Sequence, residues 1–191
     1  NLPPVITFEP PPKTNLNPIL LKGSVDDSLT AVTITGVSDP RVMGPLGRVV
    51  TAKRIKRTFE VSVPLTLGQN TLTLIAISPN KWMTSRPFTI TLGTIPTIQT
   101  AQPTDGTKLY AGATTTLQAT AKDQEGDPIQ HRFLLDGAPL ADWGASTSQP
   151  WTPLVIQTGL HTLTFQVRDA FGGVNGKEAE VFVVRPPIEP P

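Results

Sequence analysis

The chain contains no cysteine among its 191 residues, which removes a disulfide framework, a thiol nucleophile and every thiolate metal site together. Charge is sparse as well, with Asp, Glu, Lys and Arg at 16% against 38% apolar residues. That balance fits neither a disordered polyelectrolyte nor a membrane protein. No run approaches the roughly 18 apolar residues of a membrane-spanning helix, so no direct membrane insertion is expected. The start, NLPPVITFEPPP, lacks the charged-then-apolar order of a signal peptide, and the chain is read as a mature piece or fragment. Catalytic signatures are missing too: there is no G-x-S-x-G elbow, no H-E-x-x-H and no glycine-rich phosphate loop. The two histidines, His131 and His161, stand thirty positions apart within expected strands. Nothing gathers Glu9, Asp39 and Glu60 into a carboxylate pair of the glycosidase kind. The expectation is a protein that is not an enzyme and holds no cofactor.

What is abundant is strand signal. Runs of β-branched and apolar residues recur every eight to twelve positions between Gly, Pro, Asn and Asp clusters, while helical periodicity is nearly absent. In the first half the spacing predicts strands at Val5 to Phe8, Ile19 to Val25, Thr30 to Thr35, Arg48 to Ala52, Thr58 to Leu65, Thr71 to Ile77 and Phe88 to Leu92. In TFEVSVPL, alternation puts Phe59, Val61, Val63 and Leu65 on one face and Thr58, Glu60 and Ser62 on the other. The second half predicts strands near Thr97 to Thr100, Thr114 to Ala121, Ile129 to Leu135, Trp151 to Ile156, His161 to Arg168 and Glu178 to Val184. Such spacing is that of a β-sandwich.

Three collinear matches tie the halves together: Asn70 to Ser78 with His161 to Asp169, Leu21 to Asp27 with Leu117 to Asp123, and Pro4 to Thr7 with Pro96 to Gln99. A repeat of one module length follows. The expected fold is all-β, with a sandwich over residues 1–93, a second over 94–185 and a proline-rich linker or tail at 186–191. The short junction LGTIP predicts a stiff connection. The halves differ in charge: ten Lys and Arg against five Asp and Glu in 1–93, net +5, and six against ten in 94–191, net −4.

On these residues a resemblance appears. PPVITFEPP, LKGSVDDS and VPLTLGQNTLTLIAIS resemble the bacterial immunoglobulin-like repeats of large surface and secreted proteins. ATAKDQEGDPIQHRFLLDG, WTP and GLHTLTFQVRDAFGG resemble polycystic-kidney-disease-type (PKD-like) immunoglobulin-like modules. The resemblance covers nearly the whole chain, and the first module departs from it by the insertion Ser38 to Lys56. It implies two tandem immunoglobulin-like domains in an extracellular or cell-surface protein, with the periplasm as the other location. There the modules would act as non-catalytic spacers or adhesion units. Their partners would be neighbouring domains of the same polypeptide and a protein or polysaccharide at the cell surface. Two alternatives stay open: carbohydrate-binding accessory modules of an extracellular enzyme, and a segment of a surface filament or secretion assembly joined by strand addition.

Candidate chemistry is limited to three clusters. Asp123, Glu125 and Asp127 in DQEGDP alternate oxygen ligands around a glycine in the manner of a calcium loop, with Asp169 as a fourth carboxylate, though the twelve-residue EF-hand pattern is incomplete. The plain alternative is an acidic turn. Arg48, Lys53, Arg54, Lys56 and Arg57 could meet a polyanion, but no aromatic interleaving accompanies them, so nucleic acid is not expected and a solvated strand edge is. For sugars, Trp82 and Trp143 stand in segments that read as loops, with Tyr110 as a further ring, while Trp151 reads as a cap on the core.

Overall fold

The computed structural model of the protein describes residues 2–37, 48–55 and 57–187. Positions 38–47, Lys56 and 188–191, which carry much of the insertion and the end of the proline-rich tail, lie outside the described residues. The chain divides into two compact units, residues 1–93 and 94–191.

The first unit is a sandwich of strands β1 (Ile6–Phe8), β2 (Lys13–Thr14), β3 (Ile19–Val25), β4 (Ala31–Val37), β5 (Arg48–Thr51), β6 (Lys53–Ile55), β7 (Thr58–Val63), β8 (Gly68–Ile77) and β9 (Met83–Leu92). They form one sheet in the order β1-β3-β7-β6 and another in the order β2-β9-β8-β4-β5. The proline run Pro10 to Pro12 explains why the first strand splits. Without backbone N–H groups it cannot continue a ladder, so the chain leaves β3 and resumes as β2, parallel to β9. Alternation in β7 buries Phe59, Val61 and Val63 and exposes Thr58 and Ser62, as the sequence predicts. These side chains join Phe8 of their own sheet and Ile34, Leu72, Leu74 and Ile90 of the facing sheet in one continuous core. Gly23 in β3 is part of that fit: a Cβ there would overlap the Phe59 ring and come within 2.8 Å of the Thr7 carbonyl oxygen.

The second unit contains β10 (Thr97–Gln102), β11 (Thr107–Tyr110), β12 (Thr115–Lys122), β13 (Gln130–Leu135), β14 (Ala138–Gly144), β15 (Ser148–Trp151), β16 (Gly159–Arg168) and β17 (Asn175–Val184), with a 3₁₀ turn at Val155–Gln157. Its sheets run β10-β12-β15 and β11-β17-β16-β13-β14. The five-stranded order therefore reproduces that of the first unit, split first strand included. A separate core holds Leu117, Phe133, Leu163, Phe165 and Val181, with Trp151 at 7% exposure. Each of the three internal sequence matches falls on equivalent strands: β1 with β10, β3 with β12, and β8 with β16.

Two sequence expectations are corrected here. The strand expected over Trp151 to Ile156 stops at Trp151. Pro153 interrupts the ladder beyond it, and the chain turns back at Val155–Gln157, where Leu154 N–H donates to Gln157 Oε1 at 2.8 Å. Trp143 lies in strand β14 rather than in a loop. Asp136 and Gly137, at φ 49° and 81°, form a two-residue hairpin turn between Leu135 and Ala138. Asp-Gly is a strong short-range hairpin signal.

Candidate functional site

Around the acidic turn the structure brings Asp123, Glu125 and Asp127 together, with one carboxylate oxygen from each within 4.8 Å of the others. Asp169 is not in that group. Asp123 sits inward at the end of β12 and is 6% exposed. Its Oδ1 accepts the backbone N–H groups of Glu125 (3.0 Å) and Asp127 (2.9 Å), closing the turn on itself. Its Oδ2 is buried with no hydrogen-bond partner among the described residues. Glu125 Oε2 accepts both the N–H and the hydroxyl of Thr94, at 3.0 and 2.8 Å. Asp169 Oδ1 caps the next turn by accepting Phe171 N–H at 2.8 Å. These carboxylates hold turns of the second unit together.

Of the basic cluster, Lys53 and Arg54 lie on β6, the edge of the four-stranded sheet, and Lys53 and Arg57 are exposed. Lys56 lies outside the described residues. Lys53 stands opposite Glu60 in register, and Lys22 binds Glu60 at 2.9 Å. The Lys22 hydrogen bond and charge hold the Glu60 carboxyl below its ordinary range. Charged side chains along an exposed edge hinder pairing with another chain.

The rings separate sharply. Trp151 is buried, edge-on to His161 at 6.4 Å. Tyr110 is 48% exposed on β11. Trp143 is half-buried, with the Arg168 guanidinium 4.3 Å from its ring centroid and that of Arg132 5.8 Å away, a stacking arrangement favourable to both partners. Trp82 is 47% exposed in the hairpin joining β8 to β9. Its loop is tied at three points: Ser78 N–H to Trp82 O (2.9 Å), Lys81 N–H to Ser78 O (3.0 Å) and Trp82 N–H to Ser78 Oγ (3.2 Å).

Two polar devices escaped the sequence reading. Asn70, 6% exposed, accepts Thr66 N–H (2.9 Å) through Oδ1 and donates through Nδ2 to the carbonyls of Thr66 (2.8 Å) and Gly68 (2.9 Å). His161 places Nδ1 2.6 Å from Asp136 Oδ2 and Nε2 2.6 Å from the Gln157 carbonyl. Burial works against a charge on His161, but the Asp136 hydrogen bond, the Gln157 carbonyl and the Asp136 charge outweigh it and raise the imidazole's pKa. His131 is buried with neither ring nitrogen bonded among the described residues, and burial lowers its pKa.

With both sandwiches described, the class is clear: two tandem immunoglobulin-like modules. The family described as "Bacterial Ig domain" matches residues 96–165, within the second module. No curated protein matches the chain. Among solved structures, the chain is similar to the fibronectin(III)-like modules of Clostridium thermocellum CbhA, at 16% identity and a TM-score of 0.54, with 95% of each chain covered. It also matches an I-band fragment of titin at 14% identity, a TM-score of 0.42, and coverage of 96% of this chain and 66% of that one. At such identities the likeness speaks to the fold alone.

Proposed function

We propose that the chain is a non-catalytic spacer and contact segment of a larger bacterial protein that is exported to the cell surface or secreted, its second module being of the PKD-like kind. The observation that carries this reading is the duplication: one self-contained sandwich, with the same order in its five-stranded sheet and matching sequence at three equivalent strands, is used twice. Repetition of a module supplies length and surface. Their polar side chains support the reading, since Asn70, Asp123, Asp136 and His161 are engaged in tying the modules' own loops.

The test is made in the parent protein. Fractionation of cells carrying a tagged parent should place it in the envelope or the medium, and retention in the cytosol overturns the export reading. Exchange of residues 1–191 for an unrelated pair of sandwiches should preserve the activity of any neighbouring domain; loss of that activity would give the segment a role of its own in it.

In this reading the acidic turn is a turn and calcium is not required. Chelator should leave the unfolding midpoint of the second module unchanged. A midpoint that rises with added calcium would instead assign the buried Asp123 Oδ2, with Glu125 and Asp127, to a cation.

A further inference from the structure

We infer that the first module carries a binding site for a neutral polysaccharide, built on Trp82. The start of the chain at Leu2 and Pro4, the β3–β4 segment and the β8–β9 hairpin border a recess of about 410 Å³ whose lining includes Asp26, Asn80 and Trp82. Ligand pockets fall in the range of about 300–1,000 Å³. Three features select the ligand's chemistry.

The first is the indole. A flat ring 47% exposed offers an apolar face at a fixed height, and the hydrogen bonds from Ser78 and Lys81 hold the loop that carries it. No cation or second ring is stacked on Trp82 among the described residues, and its Nε1–H has no acceptor there. It thus differs from Trp143, whose face is taken by Arg168 at 4.3 Å. Aromatic residues with an apolar body and a polar edge suit ligands that are apolar on one side and hydroxylated on the other.

The second is the arrangement of polar groups. Asp26 and Asn80 line the same recess, and neither side chain has a partner among the described residues. A carboxylate accepts from two hydroxyls at once, and a carboxamide both donates and accepts. Vicinal hydroxyls of a pyranose present that pattern around an otherwise apolar ring. The third feature is charge: Asp26 lines the recess with an exposed carboxylate, so a uronate, sulfate or phosphate seated there would be repelled and a neutral sugar would not. A protein partner meeting the exposed Leu29 and Met83 is the competing occupant.

This inference goes beyond the spacer reading and does not depend on it. The test is affinity electrophoresis of the whole chain in native gels containing hydroxyethylcellulose, xylan or galactomannan, with carboxymethylcellulose as the acidic control. Retardation is expected with at least one of the three neutral polymers and not with the acidic one. Trp82→Ala should weaken it by about tenfold, the scale of a lost aromatic contact. Asp26→Asn should weaken it less, and Trp143→Ala should leave it unchanged. Circular dichroism and the unfolding midpoint of Trp82→Ala establish that the variant is folded. Retardation by none of the neutral polymers, retardation surviving in folded Trp82→Ala, or equal retardation by carboxymethylcellulose overturns the site. Self-association that Trp82→Ala abolishes, without any retardation, assigns the recess to a protein partner instead. A negative result here leaves the export test untouched, and cytosolic retention of the parent leaves this one untouched.

Discussion

The two modules solve one local problem with different chemistry. Each must hold the loop that leads into its penultimate strand, and each does so from an equivalent position, Asn70 in the first and His161 in the second. Both side chains reach the carbonyl four residues back: Asn70 Nδ2 donates to Thr66 O at 2.8 Å, and His161 Nε2 lies 2.6 Å from Gln157 O. The amide is self-sufficient, since it donates and accepts within one short loop. The imidazole needs a second partner, Asp136, whose Oδ1 also accepts Thr162 N–H at 2.9 Å. One frame can therefore be pinned by a group that never titrates or by one that does.

Removing the pins gives the largest contrast. Asn70→Ala takes the partner from the Thr66 amide and two loop carbonyls in a part-buried loop and should cost about 2 kcal/mol, the middle of the range for groups left without partners. His161→Ala, in a more open site, should cost about 1 kcal/mol, a typical net hydrogen-bond value. Denaturant unfolding of each variant, with hydrogen exchange assigning the effect to its own module, checks both. Equal losses would mean that the two loops are not pinned in the manner described.

A second matched pair lies on the second strand proper, where Gly23 of β3 corresponds to Ala119 of β12. The Phe59 ring occupies the space a Cβ would need at Gly23. Gly23→Ala should therefore cost about 2 kcal/mol through overpacking. The reverse change, Ala119→Gly, should cost about 1 kcal/mol through backbone freedom and a lost contact. Unfolding midpoints decide this, and a neutral Gly23→Ala would show that Phe59 can withdraw.

The strands themselves were legible because alternation is a local property. β3 and β7 lie where ILLKGSV and TFEVSVPL respectively place them, and Phe59 is buried as its position demands. β9 begins at Met83, well before the expected Phe88, because Pro87 sits where β9 is an edge: β2 pairs only with Thr91 and Leu92, so no ladder lacks the missing N–H. β2 and β6, of two and three residues, are too short to show a period. Trp82 and Trp143 looked alike in sequence, and what separates them is the pair of guanidiniums brought over Trp143 from β13 and β16 by strand pairing. His161 and Asp136 are 25 positions apart, and only the β13–β16 register makes them neighbours.

The smallest effect is also the most discriminating, because it depends on the one chemical difference between the pins. A carboxylate and a carbonyl face the two ring nitrogens of His161, and only the imidazolium carries a proton for each. The folded pKa is accordingly raised, so this stabilisation is complete below the unfolded value of about 6.5 and is lost as pH rises through the folded value. His131 acts with the opposite sign. Burial lowers its folded pKa, so its contribution is present above about 6.5 and is lost as pH falls through the folded value. Both histidines belong to the second module and none to the first. Between about pH 5.5 and 8, then, the second module's stability should decline on either side of a maximum while the first stays nearly level. His161→Asn, which imports the first module's residue, should abolish the alkaline decline and spare the acid one. An alkaline decline that persists in that variant would locate its source outside the Asp136–His161–Gln157 chain.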